Sequence, residues 1–166
     1  LSVTNQNPSR LIVMKLNSTG VIQWQKQFSY INSLISSGGS NSSDGMVAID
    51  TSGNTYTAHR ITTNTYQTTL IIKSNSSGTI QWVRRLGVSS PGYTSNYPIG
   101  IVVDPDDESY FYVLLQGLFT ENSSWGTNKV GYVLVKYNSS GSMQWQRVIV
   151  GQAADGSGSM TSRRDN

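Results

Sequence analysis

A ten-residue segment occurs three times in this chain, and a tandem repeat constrains a fold more tightly than composition does. Lys15-Leu-Asn-Ser-Thr-Gly20-Val-Ile-Gln-Trp24 returns as Lys73-Ser-Asn-Ser-Ser-Gly78-Thr-Ile-Gln-Trp82 and as Lys136-Tyr-Asn-Ser-Ser-Gly141-Ser-Met-Gln-Trp145. Lys, Asn, Ser, Gly, Gln and Trp are the same in all three copies, and the tryptophans stand 58 and 63 residues apart. Each copy predicts a hairpin. A short apolar run precedes the Lys (11–14, 70–72 and 133–135), the pattern of a strand covered on both faces. Asn-Ser-x-Gly then supplies a turn: the Asn side chain closes it, and Gly20, Gly78 and Gly141 provide a positive φ. The residues that follow alternate. Ile22, Trp24, Lys26 and Phe28 are expected on one face and Gln23, Gln25 and Gln27 on the other. The second and third copies give Ile80, Trp82, Arg84, Leu86 and Met143, Trp145, Arg147, Ile149.

Between the hairpins the sequence predicts another strand pair, 46–50 with 55–58 and again 99–104 with 110–115, each joined at an Asp-led turn. The unit is therefore four antiparallel strands in about 60 residues, without helical periodicity. Counting along the chain gives ten strands, or two and a half units. Four-stranded units in tandem are propeller blades. The fold class expected is all-β, with β-propeller-like blades of four antiparallel strands divided as follows: an N-terminal extension (1–9), a half blade (10–30), a blade (44–87), a blade with a loop insertion (98–150), and a tail or start of the next blade (151–166). Propellers close with about four to eight blades. A closed ring needs more chain or more copies: a segment of a larger propeller is expected, while two copies would give five blades.

The string Asp44-Gly-Met-Val-Ala-Ile-Asp50-Thr-Ser-Gly-Asn-Thr-Tyr56, followed by the hairpin ending at Trp82, resembles the beta-propeller repeats called SBBP. The resemblance spans roughly 10–155 and is best over 44–87; the third unit departs, with Pro105-Asp-Asp-Glu-Ser at the turn and Leu114-Leu-Gln-Gly at the strand end. The polar Asn-Ser-Ser-Gly strings are also similar to repeats of phage tail and fibre proteins. The resemblance implies a blade fold in a surface, secreted or virion setting.

Composition narrows the function classes. Ser, Thr, Asn and Gly make up 70 of the 166 residues, charged residues are 13 %, and cysteine is absent. That excludes a disulfide scaffold and a cysteine metal site. The 16 aromatics spread along the chain argue for a packed core. Apolar runs fall far short of the ~18 residues of a membrane helix, so no membrane insertion is expected. The net charge of +3 comes from 12 cations and 9 anions with no basic block, so no nucleic-acid partner is expected.

The repeated Trp24, Trp82 and Trp145 are expected to pack between units, with Lys26, Arg84 and Arg147 along the indoles. His59 is the sole histidine and no nucleophile elbow accompanies it, so no catalytic residue is assigned. Asp104, Asp106, Asp107 and Glu108 lack the ligand spacing of a calcium loop, and neither metal nor cofactor is assigned. Five Asn-x-Ser/Thr sequons occur, at Asn17, Asn41, Asn75, Asn122 and Asn138, three of them being the repeated turn. The candidate binding residues are loop aromatics: Tyr93 and Tyr97 in one long loop, and Trp125 in a nine-residue insertion that falls within the stretch Leu118–Val130. The expected function is non-enzymatic: a structural and binding segment of an extracellular or virion appendage, attaching to a glycan or host-surface protein, with further blades or further copies as assembly partners. A microbial adhesin or lectin-like module is the alternative, and a propeller lyase or glycosidase a more distant one.

Overall fold

Each repeated turn is built by its asparagine. Asn17 Oδ1 accepts from the Thr19 and Val21 amides at 3.0 and 2.8 Å, and Asn75 Oδ1 from the Ser77 and Thr79 amides at 3.1 and 2.8 Å. Asn138 Oδ1 accepts from the Ser142 amide at 2.9 Å. The turn then needs a residue in the left-handed region, and Gly20, Gly78 and Gly141 sit there with φ of 82°, 80° and 79°. Asp50 builds its turn in the same way, its carboxylate accepting from the Asn54 amide and side-chain amide at 2.8 Å each.

These turns join ten strands in a computed structural model that describes residues 11–28, 41–62, 67–86, 93–119 and 129–150. The strands are β1 (Leu11–Leu16), β2 (Ile22–Phe28), β3 (Asn41–Ile49), β4 (Thr55–Thr62), β5 (Gln67–Ser74), β6 (Ile80–Leu86), β7 (Tyr93–Val103), β8 (Tyr110–Phe119), β9 (Lys129–Asn138) and β10 (Met143–Val150). They form a two-stranded sheet, β1-β2, and two four-stranded sheets, β3-β4-β5-β6 and β7-β8-β9-β10, antiparallel throughout. No helix occurs among the described residues. The chain is thus all-β, with propeller-like blades, in the order expected from the repeat. The expected extension 1–9 and tail 151–166 lie outside the described residues.

The sheets stack face to face. In the second sheet Leu70, Ile71 and Ile72 are all buried, because the apolar run of β5 points alternately to two neighbours. Leu70 and Ile72 meet Val13 of the first sheet, whereas Ile71 joins Tyr56, Phe111, Val113, Val133, Val135 and Tyr137 at the junction with the third. Among the described residues the first sheet has one neighbour, the second. The equivalent run of β1 therefore buries Val13 partly and leaves Ile12 and Met14 exposed, contrary to a strand covered on both faces.

Three sequence expectations are corrected. Every hairpin carries a bulge just before its tryptophan: Lys15 opposes Trp24 but Leu16 opposes Ile22, and the same shift recurs at Trp82 and Trp145. One extra residue reverses the alternation. Ile22, Ile80 and Met143 therefore lie on the face opposite their tryptophans and are exposed. Second, the blades begin earlier than 44 and 98, at Asn41 and Tyr93. Pro98 lies within β7, which is an edge strand, and is buried at a bulge opposite Leu115, the two settings in which a sheet tolerates proline. Third, part of the insertion at 118–130 is strand: β8 and β9 run ten residues each, against eight in β4 and β5.

Candidate functional site

The most developed constellation is the junction between successive sheets. Trp24 Nε1 donates to the Ser76 carbonyl at 2.9 Å, and Trp82 Nε1 donates to the Ser139 carbonyl at 3.1 Å. In both cases the tryptophan of one unit grips the Asn-Ser-x-Gly turn of the next. The indole face lies flat on the turn glycine: a Cβ added to Gly78 would stand 3.0 Å from the Trp24 ring, and one added to Gly141 would stand 3.1 Å from Trp82. Glycine is needed here twice over, for its positive φ and for this close approach.

The cation two residues on completes the clamp. Arg84 lies over the Trp82 ring at 5.5 Å and donates through Nε to the Gly141 carbonyl at 3.1 Å; Arg147 lies over Trp145 at the same 5.5 Å. The Lys26 stem comes within 3.2 Å of a Cβ built on Gly78. Trp24 and Trp82 thus lie between units, whereas Trp145 meets Tyr112 and Arg147 of its own sheet. The repeated lysine, which carries no assigned role in the sequence pattern, joins the same clamp. Lys73 Nζ donates to the same Ser139 carbonyl at 3.0 Å and sits 5.0 Å over the Tyr56 ring. The signal was available, since Lys15, Lys73 and Lys136 keep a fixed spacing to the turn. Also unassigned was the aromatic stack behind the clamp, in which Phe111 lies 4.8 Å from Tyr56, 5.9 Å from Trp82 and 5.3 Å from Tyr137. Burial there pushes the Tyr137 phenol up to about 12.

A second link joins the Asp-led turns. Glu108 accepts from the Thr51 amide at 2.9 Å and from its hydroxyl at 2.6 Å. The other acids close their own turn: Asp104 accepts from the Asp106 amide and the Tyr112 hydroxyl, and Asp107 from the Ser109 amide. The Tyr112 hydrogen bond, aided by Lys136 at 3.6 Å, holds the Asp104 carboxyl below its ordinary range. Among the described residues no three His, Cys, Asp or Glu side chains gather as a metal site.

His59 lies on β4 opposite Gly45, whose absent Cβ leaves room for the imidazole. It is buried, Nε2 has no hydrogen-bond partner among the described residues, and burial lowers its pKa to about 4. A neutral, enclosed imidazole of this kind is core packing.

The loop aromatics are placed as follows. Tyr93 and Tyr97 are not in a loop: both belong to β7, opposite Phe119 and Gln116. Tyr97 is half-buried, with the Arg60 guanidinium of the preceding sheet 5.1 Å over its ring. Trp125 lies outside the described residues. Strand direction nonetheless sorts the connections into two sets. All the tight turns (17–21, 50–54, 75–79, 104–109 and 138–142) lie at one end of the stacked sheets. The strand ends flanking 29–40, 63–66, 87–92 and 120–128 lie at the other, where β7 also begins.

No protein-family model matches the chain, and no curated protein matches it.

Proposed function

We propose that this chain is a non-enzymatic structural and binding protein: a β-propeller segment of an extracellular or virion appendage, such as a tail or fibre, serving assembly or attachment to a host surface. The observation that carries the reading is the junction made twice with the same parts, Trp24 on the Ser76–Gly78 turn and Trp82 on the Ser139–Gly141 turn. The residues that repeat along this sequence are the ones that hold one sheet to the next. That is the use of sequence expected of a stacked scaffold, in which each unit contacts its neighbours. The polar, cysteine-free composition and the resemblance to propeller and tail-fibre repeats support the extracellular and virion setting.

Recognition belongs to the end away from the tight turns. The turns are nearly identical in sequence and their polar groups are engaged in closing them. The connections at the other end differ in length, β7 with Tyr93 and Tyr97 begins there, and in the sequence Trp125 belongs to the 120–128 connection. Aromatic side chains offer large contact area at low entropic cost, to sugar rings or to a protein surface. The test is Tyr93→Ala, Tyr97→Ala and Trp125→Ala, each checked for folding by far-UV circular dichroism and then assayed on host cells and a glycan array. Binding should fall by about tenfold or more in at least one variant, the loss of an interface anchor. Unchanged binding in all three, with loss in an Asn138→Ala turn variant, would place recognition at the opposite end.

A further inference from the structure

The two outermost faces of the stack are the two halves of one more junction. Consider first the forward face, the side each sheet turns toward the next. In the second sheet it carries the cross-strand row Ala48, Tyr56, Lys73 and Trp82, with Ala58, Ile71 and Arg84 beside it. There Tyr56, Ala58 and Ile71 are sealed by the third sheet. The third sheet repeats the row register for register as Val102, Tyr112, Lys136 and Trp145, with Leu114, Leu134 and Arg147 beside it. Here Tyr112, Leu114, Leu134 and Trp145 are only half-buried, and Val102 and Arg147 are exposed. Cation and indole are already set: Arg147 is over Trp145, and Tyr112 stands 6.0 Å from it.

The rear face supplies the complement. In the third sheet Val133, Val135 and Tyr137 point back into the junction and are 5, 1 and 5 % exposed. Their register equivalents on β1 are Ile12, Met14 and Leu16, which are 44, 48 and 47 % exposed. The turn above them repeats the pattern. Gly20 holds the same positive φ as Gly78 and Gly141, but a Cβ added there would meet nothing within 4 Å. Among the described residues the Asn17–Gly20 turn thus has no indole on it and the Trp145 indole has no turn, while the other two turns and two tryptophans are matched.

We propose that the forward face of the third sheet docks on the rear face of the first sheet of a second copy of this chain. In that contact Trp145 Nε1 and Lys136 Nζ donate to the Ser18 carbonyl of the other copy, the indole covers its Gly20, and Arg147 reaches its Gly20 carbonyl. Leu114 and Leu134 bury the other copy's Ile12 and Met14. The argument is continuity: the same two surfaces already meet twice inside one chain, so a third meeting needs no new chemistry. The contact is heterologous, head to tail, and each added copy leaves one of each face free, so association continues until a ring closes or a filament grows. This deepens the assembly half of the proposed function, naming its partner; host binding is read by a separate assay and can fail independently.

Sedimentation velocity on the intact chain tests it, from about 1 to about 500 μM, a range reaching the weak affinities of a modest interface. The wild type should show species of twice the 18.1 kDa chain mass or higher multiples, growing with concentration. Trp145→Ala blocks the forward face and Met14→Lys the rear face. Both positions are solvent-accessible, and circular dichroism confirms folding. Should Trp145→Ala impair folding, Arg147→Ala at an exposed position replaces it. Each variant alone should associate about thirtyfold more weakly or not at all, the loss of a central interface residue. Mixed in equal amounts, the two should form a one-to-one complex, because each retains the face the other lacks. A wild type that stays monomeric throughout overturns the proposal. So does a Met14→Lys variant that self-associates like wild type, since that result means a symmetric forward-to-forward contact.

Discussion

Replacing Gly141 by Ala isolates the energy of the junction, because Gly20 provides a matched control. Both residues have nearly the same backbone conformation, φ 79° and 82°. Alanine in this left-handed region costs about 1–2 kcal/mol wherever it occurs. At Gly20 nothing further is disturbed within 4 Å. At Gly141 the new methyl stands 3.1 Å from two atoms of the Trp82 ring and 3.2 Å from Arg84 Nε, so the clamp must move. That adds an overpacking cost of about 1–3 kcal/mol, with two hydrogen bonds to the turn lengthened. The expected losses are therefore about 1–2 kcal/mol for Gly20→Ala and about 2–5 kcal/mol for Gly141→Ala, equivalent to about 2–8 and 4–20 °C in Tm for a chain of this size. Urea titrations should be run at low micromolar concentration, where association does not contribute. A double mutant sharpens the test: with Trp82→Ala present, the added cost of Gly141→Ala should shrink to the backbone term. Equal losses for the two glycine variants, or no coupling to Trp82, would refute the idea that the tryptophan and turn hold the sheets together.

Two other outcomes follow from the same geometry. Trp82→Ala should destabilise the fold by about 2–4 kcal/mol, less than full burial would imply because the ring is half-buried but still packed on Phe111; an unchanged urea midpoint would remove the junction from the stability of the chain. His59 gives the fold an acid-sensitive component. Its pKa is about 4 folded against 6.5 as the ordinary value, so the fold favours the neutral ring. That contribution is complete above pH 6.5 and is lost as pH falls from 6.5 toward 4, by an amount on the order of 3 kcal/mol. A His59→Gln variant should lose this dependence when urea midpoints at pH 7 and pH 4.5 are compared; an unaltered dependence would assign it to other groups.

The sequence by itself determined the turns, the number and order of strands, and the pairing of each hairpin. These are local properties. Asn17, Asn75 and Asn138 close their turns with their own side chains, and a turn fixes which two strands are neighbours. The repeat spacing also identified the junction tryptophans, because a residue held at the same place in every unit serves what the units share. What only the tertiary structure decided is which faces those strands bury. Leu11 to Met14 and Leu70 to Ile72 read alike as apolar runs, yet the second lies between two sheets and the first beside one, so Ile12 and Met14 remain exposed where Leu70 and Ile72 do not. The bulge before each tryptophan was hidden for a similar reason: register is a relation between two strands, and a single extra residue sends Ile80 to the opposite face from Trp82. Tyr97 falls outside the apolar segment 99–104 and so reads as loop, whereas β7 extends back through Pro98 to Tyr93, an extension made compatible with a proline by the position of β7 at a sheet edge. Burial, register and edge position all depend on what lies alongside a segment, and a neighbour sixty residues away in the chain leaves no mark on the local pattern.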